Sequence, residues 1–424
     1  MFGYGLRKVF YTNFRLARKE LTGTILESYD PRVVLLKLDS GYNIGIPLDK
    51  ILDSKILKKF KEVEISDEDF VSRKKGLKKI GLVVTGGTIA SKLDVKTGGV
   101  KPLTKLKEFA NFYPKLFDMV DVKKIEIPFM MASENMSSEH WIKIAKSVEK
   151  LLNDKEIEGV IVTHGTDTLH YTSAALSFFL KDLNKPVVLT YSQRSIDRAS
   201  SDADLNLICA AKMALSNVAE VMLVGHASTN DDFCFALKGT KTRKMHTSRR
   251  DSFKTINDIP IAKVWPEKIE FLREYNLRNN KRKVNLDVNF SDKVSLIKYY
   301  PGQKANILDF LSEKCKGIII EATGLGHFAS SESKNNWIPK IKKLIKKGVI
   351  ICAVPQTLYG GLNPNVYSSG RELKECGIIF LKDMLPETAF IKLGWVLGHR
   401  NWKGKEKEKM LNNFSGELSE LLTE

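Results

Sequence analysis

From Ile80 onward, short apolar runs alternate with longer amphipathic stretches. Ile80–Val84, Gly159–Thr163, Pro186–Thr190 and Val221–Val224 are continuous, rich in β-branched residues and too short for helices, which predicts strands buried on both faces. Between them, Trp141–Leu152 and Thr172–Leu183 carry apolar residues at helical spacing. This alternation predicts a parallel sheet with helices on both faces, in which ligands gather at the carboxyl ends of the strands. The polar stretch Asn276-Leu277-Arg278-Asn279-Asn280-Lys281-Arg282-Lys283 interrupts the pattern. It resumes with strands at Val294–Lys298, Gly317–Ile320, Val349–Val354 and Ile378–Leu381, a second and smaller α/β unit.

The first 75 or so residues read differently. Val33–Pro47 looks like two strands around an Asp39-Ser40-Gly41 turn, and Leu21–Ser28 like a third. A charged linker follows from Glu62 to Lys79, and the stretch after about Asn401 reads as a charged helical tail. The expected division is a small β-barrel-like module over 1–76, a first α/β domain over 77–283, a second over 284–400 and a C-terminal tail over 401–424.

Composition narrows the class. Hydrophobic residues make up 43% of 424, as in ordinary globular proteins, and no apolar run approaches the length of a membrane span. The N-terminus has charges but no apolar signal core behind them, so the expected location is the cytoplasm. Cys209, Cys234, Cys315, Cys352 and Cys376 are odd in number and lack Cys-x-x-Cys spacing, which argues for buried thiols rather than disulfides or zinc. The seven histidines show no ligand spacing, and no metal is expected. The net charge of +18 permits a polyanionic partner, although lysine runs such as Lys342-Lys343-Leu344-Ile345-Lys346-Lys347 produce the same excess without one.

Two motifs stand where the sheet places a site. Ile80–Val84 runs into Thr85-Gly86-Gly87-Thr88, and Gly159–Thr163 into His164-Gly165-Thr166-Asp167-Thr168. Glycines permit a tight turn and close backbone approach to a bound oxyanion, and a threonine there exposes its hydroxyl. A helix cap explains either motif alone equally well. The first motif lacks the Gly-Lys-Ser/Thr of a phosphate loop and the full Gly-x-Gly-x-x-Gly of a dinucleotide site. A threonine nucleophile needs a base, and a lysine serves if burial lowers its pKa. Asp167 supplies a carboxylate, and the lysine candidates lie in Lys241–Asp251, a run that by composition reads as a solvated basic loop.

Taken together, Thr85-Gly86-Gly87-Thr88-Ile89-Ala90 and His164-Gly165-Thr166-Asp167-Thr168 resemble the two signatures of the L-asparaginase/glutaminase family, and the likeness runs from about Ile80 to His399. Ser133-Glu134-Asn135-Met136, Gln193-Arg194-Ser195, Ser201-Asp202-Ala203, Thr229–Asp232, Lys244–Asp251, Gln356–Gly360 and Asp383–Ala389 are similar to one branch, the D subunits of archaeal glutamyl-tRNA(Gln) amidotransferases, which also carry the extra N-terminal module. The resemblance implies two Rossmann-like parallel-sheet domains and a glutaminase with Thr88 as nucleophile. It implies that Thr166, Asp167 and Lys244 activate a hydroxyl, with Lys244 placed by its spacing ahead of Phe253. Ser133 and Glu134 would hold the α-carboxylate and α-amino group of glutamine, Asp167 sharing the latter. It further implies a homodimer within a heterotetramer of two D and two E chains, where the E subunit receives ammonia, uses ATP and Mg²⁺, and makes most of the tRNA contacts. No cofactor is expected in this chain.

Family lids carry a tyrosine shortly after the first motif, where this chain has Val95, followed by the hinge glycines Gly98 and Gly99. Three routes of activating Thr88 stay open: the lysine relay alone, a tyrosine from elsewhere (the next is Tyr113), or activity that rises only when the partner docks. A free-standing asparaginase and a non-catalytic scaffold are the rival functions.

Overall fold

The computed structural model describes residues 10–26, 28, 30–38, 43–59, 76–93, 100–102, 109–110, 112–196 and 201–419. Its centre is an eight-stranded sheet in the order Ile269–Phe271, Ala262–Val264, Cys234–Lys238, Val221–His226, Val187–Thr190, Ile157–Thr163, Lys79–Val84, Asp121–Glu126. The strands from Val221–His226 to Asp121–Glu126 run parallel, and the others join antiparallel. Period-two alternation divides each strand between two cores. Val83, Val160, Val162 and Leu189 pack with helices Ser138–Leu152 and Leu169–Phe179 on one face. Leu82, Val84, Ile161 and Val188 pack with helices Pro114–Met119 and Ala203–Ala214 on the other. Covering helices on both sides explain why these strands read as unbroken apolar runs.

The chain passes from Lys79–Val84 outward to Asp121–Glu126, then returns to place Ile157–Thr163 on the opposite side of Lys79–Val84. That reversal opens a crevice at the carboxyl ends of these two strands, where open α/β sheets bind ligands.

The second sheet is four parallel strands in chain order, Val294–Lys298, Gly317–Ala322, Ile350–Pro355 and Ile379–Phe380. Helices Asn306–Lys314 and Ile338–Lys346 share the core on one face. Helix Pro386–Gly398 lies on the other face and packs against Leu169–Phe179 of the first unit. Trp395 stacks on Phe178 with ring centroids 5.5 Å apart, so the two units share one continuous core.

The N-terminal module is a five-stranded antiparallel sheet in the order Asn43–Pro47, Val33–Leu38, Glu20–Leu26, Phe10–Arg15, Asp53–Lys59, around Phe14, Leu36 and Ile46. Among the described residues its two edge strands are not paired with each other. The edge strand Asp53–Lys59 was not among the expected strands, and its lysines are of a kind that discourages unwanted edge pairing. The Asp39-Ser40-Gly41 turn and most of the Glu62–Lys79 linker lie outside the described residues.

The C-terminal expectation needs correction. Among the described residues of this stretch only Glu406–Leu411 is α-helical, and Glu417 and Leu418 beyond it are buried rather than solvated. Glu417 is fully buried, with Oε1 2.5 Å from Nζ of Lys392 on helix Pro386–Gly398. Lys392 also donates to the Met410 and Asn412 carbonyls. A buried ammonium needs a counter-charge and acceptors, and the returning tail supplies both.

Candidate active site

Val84, Thr163 and Thr190 end three neighbouring parallel strands in register. The loop after Val84 contains Gly86 and Gly87, both with positive φ, at 118° and 81°. A side chain at Gly87 would place its Cβ 2.6 Å from the Gly165 nitrogen and 2.7 Å from the Gly165 Cα, and one at Gly86 would strike the Met131 carbonyl. Three loops, around Thr85–Thr88, Met131–Ser133 and His164–Thr168, therefore meet backbone to backbone. Thr85 fastens them: its N–H and hydroxyl both donate to the Thr163 carbonyl, at 3.2 and 2.9 Å, while Met131 N–H donates to the Thr85 carbonyl at 3.1 Å.

Thr88 opens a single 3-10 turn, Thr88–Ala90, and its side chain is partly exposed. Tyr113 is buried and its hydroxyl donates to the Ile89 carbonyl at 2.6 Å. Burial, with smaller help from Asp204 and Asp202, pushes this phenol well above its ordinary pKa. The phenol is engaged in holding the turn, an arrangement that suits a brace and not a base. Val95, Gly98 and Gly99 lie outside the described residues, and the flanks of that segment pair antiparallel, Leu93 opposite Val100.

In the second loop His164 is fully buried. Its Nδ1 lies 2.7 Å from the Gly165 carbonyl, which only accepts, so Nδ1 carries the proton and Nε2 accepts from Thr172 Oγ1 at 2.9 Å. Burial lowers its pKa to about 4 against the opposing effect of the Gly165 carbonyl, leaving a neutral ring that braces the turn. Thr168 ties this loop to the third, donating from Oγ1 to the Ser133 carbonyl at 2.7 Å and from N–H to Ser133 Oγ at 3.3 Å. Ser133 is buried and Glu134 exposed on the 3-10 turn Ser133–Asn135.

Lys244 reaches this junction from a hairpin, where Thr242–Lys244 pairs antiparallel with Phe253–Thr255. Its Nζ lies 3.0 Å from Thr166 Oγ1 and 2.7 Å from Asp167 Oδ1. The Lys244 side chain is 11% exposed, whereas that of Asp167 is 62% exposed. The composition-based reading of Lys241–Asp251 as a solvated loop holds only for its exposed middle, His246–Arg249, and fails at Lys241 and Lys244. Lys241 is buried, and Arg249 and Lys254 both pair with Asp251, each at 2.9 Å. For Lys241 and Lys244 the counter-ions, Asp383 and Asp167, come from distant parts of the chain, which composition cannot reveal, and they make the burial tolerable.

The structure brings Thr166, Asp167 and Lys244 into direct contact, joins Ser133 to them through Thr168, and sets Thr88 one residue beyond the Gly87–Gly165 contact. Sequence reasoning left His164 and Asp202 without roles and named Tyr113 only as the next tyrosine along the chain. Asp202 is buried and accepts from Ser192 Oγ and the Gln193 and Arg194 N–H groups at 2.9 to 3.1 Å, holding the loop after Val187–Thr190. The sequence signal for His164 and Asp202 is their place in segments that resemble the family, beside predicted buried elements.

Residues 79–277 match the family model for the N-terminal asparaginase domain, 293–411 that for the glutaminase/asparaginase C-terminal domain, and 15–57 that for the GatD N-terminal domain. The chain is 48% identical over 403 residues to the glutamyl-tRNA(Gln) amidotransferase D subunit of Thermococcus kodakarensis, covering 94% of this chain and 90% of that protein. It is 49% identical over 389 residues to the corresponding protein of Pyrococcus abyssi, covering 91% and 87%, and 42% identical over 406 residues to that of Sulfolobus acidocaldarius, covering 94% and 89%. Among solved structures, the thermostable L-asparaginase from Thermococcus kodakarensis matches with a TM-score of 0.71 at 27% identity, covering 80% of this chain and 99% of that one. L-asparaginase I from Vibrio cholerae matches with a TM-score of 0.68 at 26% identity, covering 81% and 99%.

Proposed function

The chain belongs to the family of glutamyl-tRNA(Gln) amidotransferase D subunits, on an asparaginase-type fold, and from that premise we propose that it is a glutaminase using Thr88 as nucleophile. The observation that carries this reading is Lys244 Nζ bridging Thr166 Oγ1 and Asp167 Oδ1 in the loop whose Gly165 meets Gly87, the neighbour of Thr88. A weakly acidic hydroxyl needs such a neighbour to accept its proton.

In this reading Thr88 Oγ attacks the side-chain amide carbon of glutamine. The Thr88 hydroxyl proton passes through the Lys244 relay to the amide nitrogen, the C–N bond breaks, the nitrogen leaves as ammonia, and the γ-glutamyl group stays as an ester on Thr88. Water then attacks the ester carbon, with the Thr166–Lys244–Asp167 relay taking its proton, and glutamate departs as Thr88 Oγ is reprotonated. Ser133 and Glu134 hold the α-carboxylate and α-amino group, and Asp167 shares the amino group. Of the three routes to an active Thr88, the Tyr113 contact with Ile89 favours the lysine relay over a second tyrosine.

Ammonia passes to an E subunit, within a cytoplasmic assembly of two D and two E chains in which this chain forms the homodimer. The E subunit activates the glutamate on misacylated tRNA with ATP and Mg²⁺ and makes most of the tRNA contacts, while this chain works without a cofactor. One assay tests the proposal: ammonia release from glutamine and asparagine, with and without partner and Glu-tRNA(Gln). Thr88→Ala abolishes release if the assignment holds, and a normal rate from that variant sinks it. Efficient asparagine hydrolysis by the lone chain, unstimulated by partner and tRNA, would favour a free-standing asparaginase.

A further inference from the structure

Strand alternation turns Arg243 away from the face of the hairpin that presents Lys244. Arg243 points into the junction between the two α/β units, where its Nε lies 3.3 Å from Glu387 Oε1. Two residues earlier, Lys241 Nζ lies 2.5 Å from Asp383 Oδ2. Both carboxylates belong to Asp383-Met384-Leu385-Pro386-Glu387, a segment distinctive in the sequence but idle in the reaction above. Glu387 sits in the first turn of helix Pro386–Gly398, where the helix dipole favours a carboxylate. It also faces the other arm of the site: His170, two residues beyond Thr168, places Nε2 3.8 Å from Glu387 Oε1. His170 Nδ1 and Glu387 Oε2 are buried without a hydrogen-bond partner in the protein, so Arg243 is the nearest cation to the Glu387 carboxylate, while Lys241–Asp383 and the bond from Thr388 Oγ1 to the Thr240 carbonyl at 2.9 Å anchor the start of the same hairpin.

We propose that Glu387 is a positioning residue for Lys244, acting through Arg243 to fix where the lysine meets Thr166 and Asp167. The inference rests on the reading of Lys244 as part of the reacting apparatus. Its physical basis is the short lever between the two groups. Arg243 and Lys244 are adjacent in one strand, and the Lys244 bonds of 3.0 and 2.7 Å leave little slack. Without the Glu387 charge, the Arg243 guanidinium, 22% exposed, is drawn toward water and drags the strand with it. A displacement of roughly 1 Å at a reacting group costs about 100-fold in rate.

The test uses the full chain in its complex, with glutamine hydrolysis resolved into kcat and KM. Glu387→Gln is expected to lower kcat about 100-fold with little change in KM, since the substrate-holding loops stay in place. The double variant Arg243→Met/Glu387→Leu removes both charges together and is expected to recover most of kcat, because neither charge is left unpaired. Glu387→Gln with full kcat overturns the proposal. So does a double variant no more active than the single one while both melt like the parent, and so does a loss confined to KM. Lys244→Ala separates the two levels: full activity there refutes the underlying reading and this inference with it, whereas a dead Lys244→Ala beside a normal Glu387→Gln refutes this inference alone.

Discussion

Replacing Gly87 by alanine tests whether the spacing between the two threonine loops sets the rate. The alanine Cβ would stand 2.6 Å from the Gly165 nitrogen and 2.8 Å from the His164 carbonyl carbon, both backbone atoms that no rotamer change can move aside. Reaching an ordinary contact of 3.4 Å requires the Thr88 loop and the Thr166 loop to part by about 0.8 Å, the difference of 3.4 and 2.6. Position 87 also has φ of 81° and ψ of 171°, a region held almost only by glycine, and a residue with a Cβ there costs roughly 1–3 kcal/mol. The fold can absorb that strain, because both cores lie behind the loops; the site cannot absorb the separation. A shift approaching 1 Å between a nucleophile and its activating groups costs about 100-fold. Ammonia release from glutamine, measured beside a thermal melt, is therefore expected to show a fall in kcat of that order with only a modest drop in Tm. A folded Gly87→Ala protein with the parent kcat would refute the reasoning, since the two loops would then work equally well at a different spacing.

Tyr113→Phe leaves the Ile89 carbonyl without its donor, costing about 1–3 kcal/mol of stability, but should keep kcat within about tenfold; a loss of about 100-fold or more would make the phenol part of the chemistry. Glu417→Gln strands the Lys392 ammonium and is expected to cost about 3–5 kcal/mol by denaturant unfolding, with Lys392→Met/Glu417→Leu regaining most of it; equal losses in both would contradict the buried-pair account. Stability should also decline with acid. His164 and His170 have folded pKa values lowered to about 4 and about 3, chiefly by burial, from an ordinary 6.5. Their contribution is complete above about pH 6.5 and is lost as pH falls through the folded values. His164 alone accounts for at most about 3 kcal/mol, so Tm measured from pH 7 to 4 should fall less steeply in a folded His164→Gln variant, and an unchanged slope would contradict the assignment.

Four strands of the first sheet and all four of the second were legible because burial on two faces demands unbroken apolar runs, and such runs survive in a single sequence; Asp121–Glu126, Cys234–Lys238, Ala262–Val264 and Ile269–Phe271, short or bearing charges, were not among the expected strands. The candidate residues Thr88, Thr166 and Asp167 were legible for a related reason: each follows such a run closely, and strand ends are where open sheets hold ligands. Lys244 was not legible from its surroundings, since a run of lysines and arginines looks the same whether its counter-ions are water or distant carboxylates. Only its likeness to a family pattern singled it out. The charged tail misled for the same reason, because Glu417 and Lys392 are far apart in the chain and meet only once helix Pro386–Gly398 is in place.

The sequence by itself determined the layer architecture, the two α/β units and the crevice where the chemistry belongs, all properties set by local periodicity and element order. Tertiary structure alone decided what stands across from what. It set Gly87 against Gly165, turned Tyr113 into a brace for Ile89, and joined Lys241 and Arg243 to Asp383 and Glu387. These contacts depend on the sign and geometry of charges and backbones brought together over long loops, and no periodicity encodes them.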